Sequence, residues 1–165
     1  MNMRPLRFLS AAAVLSLALL APARAQEKPG DLGVGAIVGT PFGASAKYFL
    51  SREHAVDFGM GVDRGDFAAH ADYLVHLQGL LPQPPKGRLP LFLGMGAKIK
   101  DEHDMFFGVR FVAGVSYFFP DHPLEAFAEI APILRLAPGA DGDIDGAIGL
   151  RYYFAIPLVC ASCGG

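Results

Sequence analysis

The residues of this chain whose types and spacing could do chemistry are few. His70, Asp72 and His76 share one phase of an extended run, and imidazole with carboxylate suits zinc. Residues two and six positions apart on a strand are separated by roughly 7 and 20 Å. The three cannot hold one ion, and they read as polar groups lining an interior. Cys160-Ala161-Ser162-Cys163 is a CxxC in a glycine-ended tail, with no second pair to complete a metal site. In an oxidising compartment Cys160 and Cys163 are expected to form a local disulfide. Hydrolysis by serine needs a histidine close by. Ser51 and His54 are near in sequence, but no recognisable lipid-hydrolase motif surrounds them. Arg64-Gly65-Asp66 is made of ordinary turn residues. Gly33-x-Gly35 lies in strand alternation, without the context of a phosphate loop. These residues predict no catalytic site, no metal and no cofactor.

A larger set of charges remains. Lys47, Lys98, Arg110, Arg135 and Arg151 nearly balance Asp57, Asp72, Glu129 and Asp145, with Glu125 nearby. A lone buried charge costs several kcal/mol, so charges in a narrow dry interior should pair. The expectation is an ion-pair network filling a lumen.

The elements that would position these groups follow from period-two alternation. In 56–63 large apolar residues alternate with Gly or Asp. In 91–100, Leu91, Leu93, Met95, Ala97 and Ile99 share one face, and Phe92, Gly94, Gly96, Lys98 and Lys100 the other. Runs 107–119 and 144–154 alternate in the same way. This is the strand template. Turn signals at 40–43, 64–66, 120–123 and 138–143 separate the runs, and 78–90, with prolines 82, 84, 85 and 90, is the one long connection. About eight strands result, near 32–39, 44–51, 55–63, 67–77, 90–99, 106–119, 124–136 and 143–156. Several approach the roughly 9–11 residues that a tilted strand needs to cross a bilayer.

Composition agrees with that reading. The chain has 165 residues, 18% charged and 52% hydrophobic, with formal net charge -2. It is apolar against the roughly 25% charge of average domains, and no basic field suggests nucleic acid. No apolar run reaches the roughly 20 residues of a spanning helix. Arg4 and Arg7, the apolar stretch Phe8–Ala21 and the small-x-small Ala23-Arg24-Ala25 make residues 1–25 a secretory signal peptide. Gln26 follows the cut rather than Cys, which argues against a lipoprotein anchor. Residues 26–156 are then the barrel and 157–165 a short tail. All 20 glycines lie in the mature chain and favour strands and tight turns over helices.

The two faces can be assigned by volume. An eight-stranded barrel has an interior only just wide enough for side chains. The apolar face carries several large residues on nearly every strand, too many for that space. Glycines and paired charges therefore belong inside, and Phe, Leu, Ile and Met outside, where lipid can cover them. Aromatics near strand ends, namely Tyr48, Phe49, Phe67, Tyr73, Phe106, Phe107, Tyr117, Phe119, Tyr152 and Phe154, suit interfacial girdles.

The signal peptide, the alternating strands and Gly149-Leu150-Arg151-Tyr152-Tyr153-Phe154 together resemble the small OmpA-like and OmpX-like eight-stranded outer-membrane barrels. The resemblance covers about residues 32–156. It implies an all-β, antiparallel up-and-down transmembrane barrel in a bacterial outer membrane. Leu150, Tyr152 and Phe154 would be the terminal-strand signal read by the barrel assembly machinery, and membrane lipid would be a partner. Eleven residues follow Phe154, where family members usually end, and there is no Trp. With both termini periplasmic, the outer loops near 40–43, 64–66, 100–105 and 137–143 are short. Three functions follow in order: a structural barrel without a channel, a soluble periplasmic barrel binding an apolar ligand, and a lipid-modifying enzyme.

Overall fold

In the computed structural model, the described residues are 28–101, 105–137, 139 and 141–155. The segment 1–25 and the tail with Cys160 and Cys163 lie outside them. Eight strands run in chain order: β1 Asp31–Gly39, β2 Phe42–Phe49, β3 His54–Asp63, β4 Asp66–Leu77, β5 Leu91–Lys100, β6 Phe106–Phe118, β7 Leu124–Ala137 and β8 Asp141–Ala155. Each pairs antiparallel with its chain neighbour, and β8 returns to β1 to close the barrel. Closure matters physically, because it leaves no strand edge with unpaired backbone groups.

Local chemistry sets the reversals. The second strand ends at Phe49 and not at 51, because Leu50 and Ser51 both donate their backbone N–H groups to the His54 carbonyl, at 2.9 and 3.1 Å. The Ser51 hydroxyl accepts from the His54 N–H at 3.0 Å and completes that turn. Between β3 and β4 the two-residue link Arg64-Gly65 has positive φ at both positions, 54° and 102°. Tight hairpins need that geometry to match the twist of their strands. The long connection 78–90 is tied down by Gln83, whose side-chain amide donates to the Leu81 and Leu89 carbonyls and accepts from the Leu89 N–H. Arg88 then bridges to Phe118 through paired backbone bonds. Reversals β1–β2, β3–β4, β5–β6 and β7–β8 lie at one end of the barrel; the long connection and both barrel termini lie at the other.

Alternation sorts the side chains by face. Outward positions carry Val34 and Val38 on β1, Phe58, Met60 and Val62 on β3, Leu93, Met95 and Ile99 on β5, and Ile144, Ile148 and Leu150 on β8, all exposed. Among the described residues, no Asp, Glu, Lys or Arg occupies an outward position on any of the eight strands. The inward positions hold the buried residues, and these are not only glycines and charges. Phe49, Phe118 and Tyr153 form a cluster near the end with the termini, with ring centroids 5.8–6.3 Å apart. His76 joins it 5.1 Å from Phe49, with Phe92 a further 5.7 Å from His76. Phe49 and Phe106 are therefore corrected from girdle residues to interior ones: both are fully buried. Each has the parity of its inward neighbours, Lys47 for Phe49 and Gly108 for Phe106. Phe67, Tyr73 and Phe107 are exposed on the outer face.

Candidate functional site

The polar interior is a column of side chains that strand parity aims at the barrel axis. Arg110 of β6 is its centre. Its guanidinium donates through Nε to Asp72 Oδ2 at 2.8 Å, through Nη1 to Asp145 Oδ2 at 3.1 Å and through Nη2 to Glu129 Oε1 at 2.5 Å. The three carboxylates come from β4, β8 and β7, so one planar fork ties four strands together. This use of the fixed donor fork is open to Arg and not to Lys. Lys98 of β5 lies 2.8 Å from Asp63 Oδ2 and donates to both Asp145 oxygens, at 2.8 and 2.9 Å.

A second hub is Glu125 of β7, which is fully buried. Lys47 donates to it at 2.6 Å, Tyr153 Oη at 2.6 Å and Arg151 Nη1 at 3.3 Å, and the Ser116 hydroxyl also donates to it. Arg151 further donates to Ser45 Oγ at 2.8 Å. Its Nη2 lies 2.7 Å from Asp57 Oδ1, a close ionic contact whose angles are not those of a hydrogen bond. The guanidinium stacks on the Phe127 ring at 3.7 Å and the Lys47 ammonium sits 4.9 Å above Phe92. Charged heads and aromatic rings thus fill the axis together. Small residues make the room. A Cβ on Gly33 would stand 2.6 Å from the Tyr153 ring.

Of the nine residues read from the sequence as a lumen network, Lys47, Asp57, Asp72, Lys98, Arg110, Glu129, Asp145 and Arg151 are buried inside the barrel. Arg135 stands apart. It is half-exposed at the end away from the termini, with its guanidinium 4.6 Å from the Phe106 ring, and it lines a polar rim with Arg64, Asp141 and Asp143. Sequence reasoning leaves out Asp63 as a Lys98 partner, and it places Glu125 beside the set without showing it as a hub. Parity was the available signal for both: Asp63 continues the phase of Asp57, and Glu125 that of Glu129.

The other candidates are separated. His76 sits among the aromatic rings with its Nε2 3.5 Å from Lys47 Nζ, away from His70 and Asp72. Ser51 and His54 form no nucleophile–base pair: the serine hydroxyl caps the β2–β3 turn, and His54 Nδ1 is 3.0 Å from the Tyr73 hydroxyl. Leu150, Tyr152 and Phe154 point outward along β8, with the two rings 4.9 Å apart.

The fold is similar to that of the N-terminal β-barrel domain of Pseudomonas aeruginosa OprF. Its crystal structure aligns with a TM-score of 0.59 at 17% identity, covering 78% of this chain and 100% of that one. No protein-family model matches the sequence, and none of the curated proteins does.

Proposed function

We propose that this chain is a structural outer-membrane β-barrel whose lumen is plugged by paired charges and rings, exported and laid in the lipid through its outward face. The observation that carries the reading is the outer surface. Eight strands present apolar residues outward without one Asp, Glu, Lys or Arg. In water such a continuous apolar surface would drive association; in a bilayer it is the required one. The interior supports the second half of the proposal. Arg110, Arg151, Lys47 and Lys98 are fully buried across the axis, where an open channel would leave them in water. The likeness to the OprF barrel domain supports the architecture. The role is then mechanical and organisational, in envelope integrity and contact with lipid or periplasmic partners. Leu150, Tyr152 and Phe154 serve as the signal for the barrel assembly machinery.

The periplasmic ligand-binding alternative is weaker, because among the described residues the interior is occupied by charged, aromatic and aliphatic side chains. The lipid-enzyme alternative loses its best pair, since the Ser51 hydroxyl is engaged with backbone N–H groups.

Two measurements test the proposal together. The protein is expected to remain with membranes through an alkaline carbonate wash and to leave them only in detergent. Reconstituted in a planar bilayer, it is expected to show no steady conductance. Recovery in the periplasmic soluble fraction overturns the membrane reading, and stable open channels overturn the plugged lumen.

A further inference from the structure

One group inside the barrel is not explained by the ion pairs. His70 of β4 is 4% exposed and its side chain is fully buried, yet neither ring nitrogen has a hydrogen-bond partner. Buried imidazoles are ordinarily bonded, and an unbonded one needs a reason. Its Nε2 faces Asp72 Oδ2 at 3.9 Å, too long for a hydrogen bond. The ring lies across Gly59, where a Cβ would stand 2.6 Å from Nε2. The strand register adds a second group: Asp57 of β3 is directly opposite Asp72 of β4, and both point inward. Like charges directly opposite on one face repel. Asp72 Oδ1 lacks a hydrogen bond, and Asp57 Oδ1 has only its 2.7 Å ionic contact with Arg151. One ligand atom from each of Asp57, His70 and Asp72 can be chosen so that all lie within 4.8 Å of one another.

The charge balance points the same way. Along the axis the six carboxylates Asp57, Asp63, Asp72, Glu125, Glu129 and Asp145 face the four cations Lys47, Lys98, Arg110 and Arg151, an excess of two negative charges when all are ionised. One divalent cation would neutralise that excess.

We propose that Asp57, His70 and Asp72 form an interior site for one divalent transition-metal ion of the zinc type. One imidazole nitrogen and two carboxylate oxygens suit zinc-like ions better than calcium or magnesium, which take all-oxygen sets. Bonds of roughly 2.0–2.2 Å draw the three ligand atoms closer than they stand and leave a fourth position for water. Each carboxylate has two oxygens, so its contact with Arg110 or Arg151 leaves one for the metal. The ion would clamp β3 to β4 and remove the repulsion between the paired aspartates. This inference concerns the interior alone and does not depend on where the barrel resides.

The test refolds the mature chain in detergent with Zn²⁺, removes unbound metal and measures zinc per chain. A parallel sample takes Co²⁺, whose visible absorption reports four-coordinate binding. About one tightly held zinc per chain is expected, with a higher unfolding midpoint than the metal-free barrel. His70→Phe keeps the ring volume and is expected to weaken binding roughly tenfold or more, with Asp72→Asn as the second variant. Gel mobility before boiling verifies that each variant folds. A wild-type barrel that holds no zinc and gives no cobalt spectrum overturns the site, whatever the variants do. Zinc retained equally by a folded His70→Phe barrel also overturns it, since the metal then sits elsewhere, on surface groups or on Cys160 and Cys163.

Discussion

Arg110→Met is expected to destabilise the detergent-folded barrel by about 3–5 kcal/mol, the range for breaking a buried ion pair by removing one partner. The side chain is fully buried and donates to Asp72, Asp145 and Glu129. Methionine fills much of the volume, so the loss reports charge more than cavity. Three carboxylates from three strands would then face one another, with Lys98 left as a partner for Asp145 only. Denaturant unfolding followed by the mobility of unboiled protein reads the change. Adding Glu129→Gln is expected to recover part of the loss, because it removes one of the stranded charges. An unchanged midpoint in Arg110→Met would mean that the network is solvated and that the lumen is not dry.

Met95→Arg addresses the opposite face. Met95 is 56% exposed on the outward side of β5, between Tyr73 of β4 and Phe111 of β6 in register. An arginine facing lipid at the bilayer midplane costs about 2–4 kcal/mol and much less near the interfaces. On a water-facing surface the same change would fall within about 0.5 kcal/mol of zero. The expected result is a large loss of folding stability in lipid vesicles for Met95→Arg and a small one for Val62→Arg, next to the β3–β4 reversal. A flat response at both positions would contradict a lipid-facing band.

How far the sequence reached depends on which property is asked of it. Parity is written directly into the chain, so Leu93, Met95 and Ile99 separate from Lys98 and Lys100 without any structure. Depth along the barrel is not, because it comes from register between strands. Arg135 shares the inward parity of Glu129, yet it emerges at the rim. A bulge between Phe107 and Gly108 offsets β6 against β7 just there. Nearness to strand ends points Phe49 and Phe106 to the girdle, whereas their parity with Lys47 and Gly108 places them inside. The turn residues Arg64-Gly65-Asp66 draw the eye past Asp63, which the two-residue turn leaves on the strand and aimed at Lys98. Spacing along one strand rightly separated His76 from His70. It could not bring Asp57 to Asp72, since that pairing exists only once β3 lies against β4.

The measurement that bears most directly on the central claim is folding of the urea-unfolded mature chain on dilution into phospholipid vesicles without detergent, compared with dilution into buffer alone. The unboiled protein is run in SDS against a boiled sample. The account predicts a compact, heat-modifiable band that floats with the vesicles, and in buffer only aggregation. A chain that folds in buffer to a monodisperse soluble species and ignores the vesicles would contradict the account, and would mean that the apolar outward face is covered by something other than lipid.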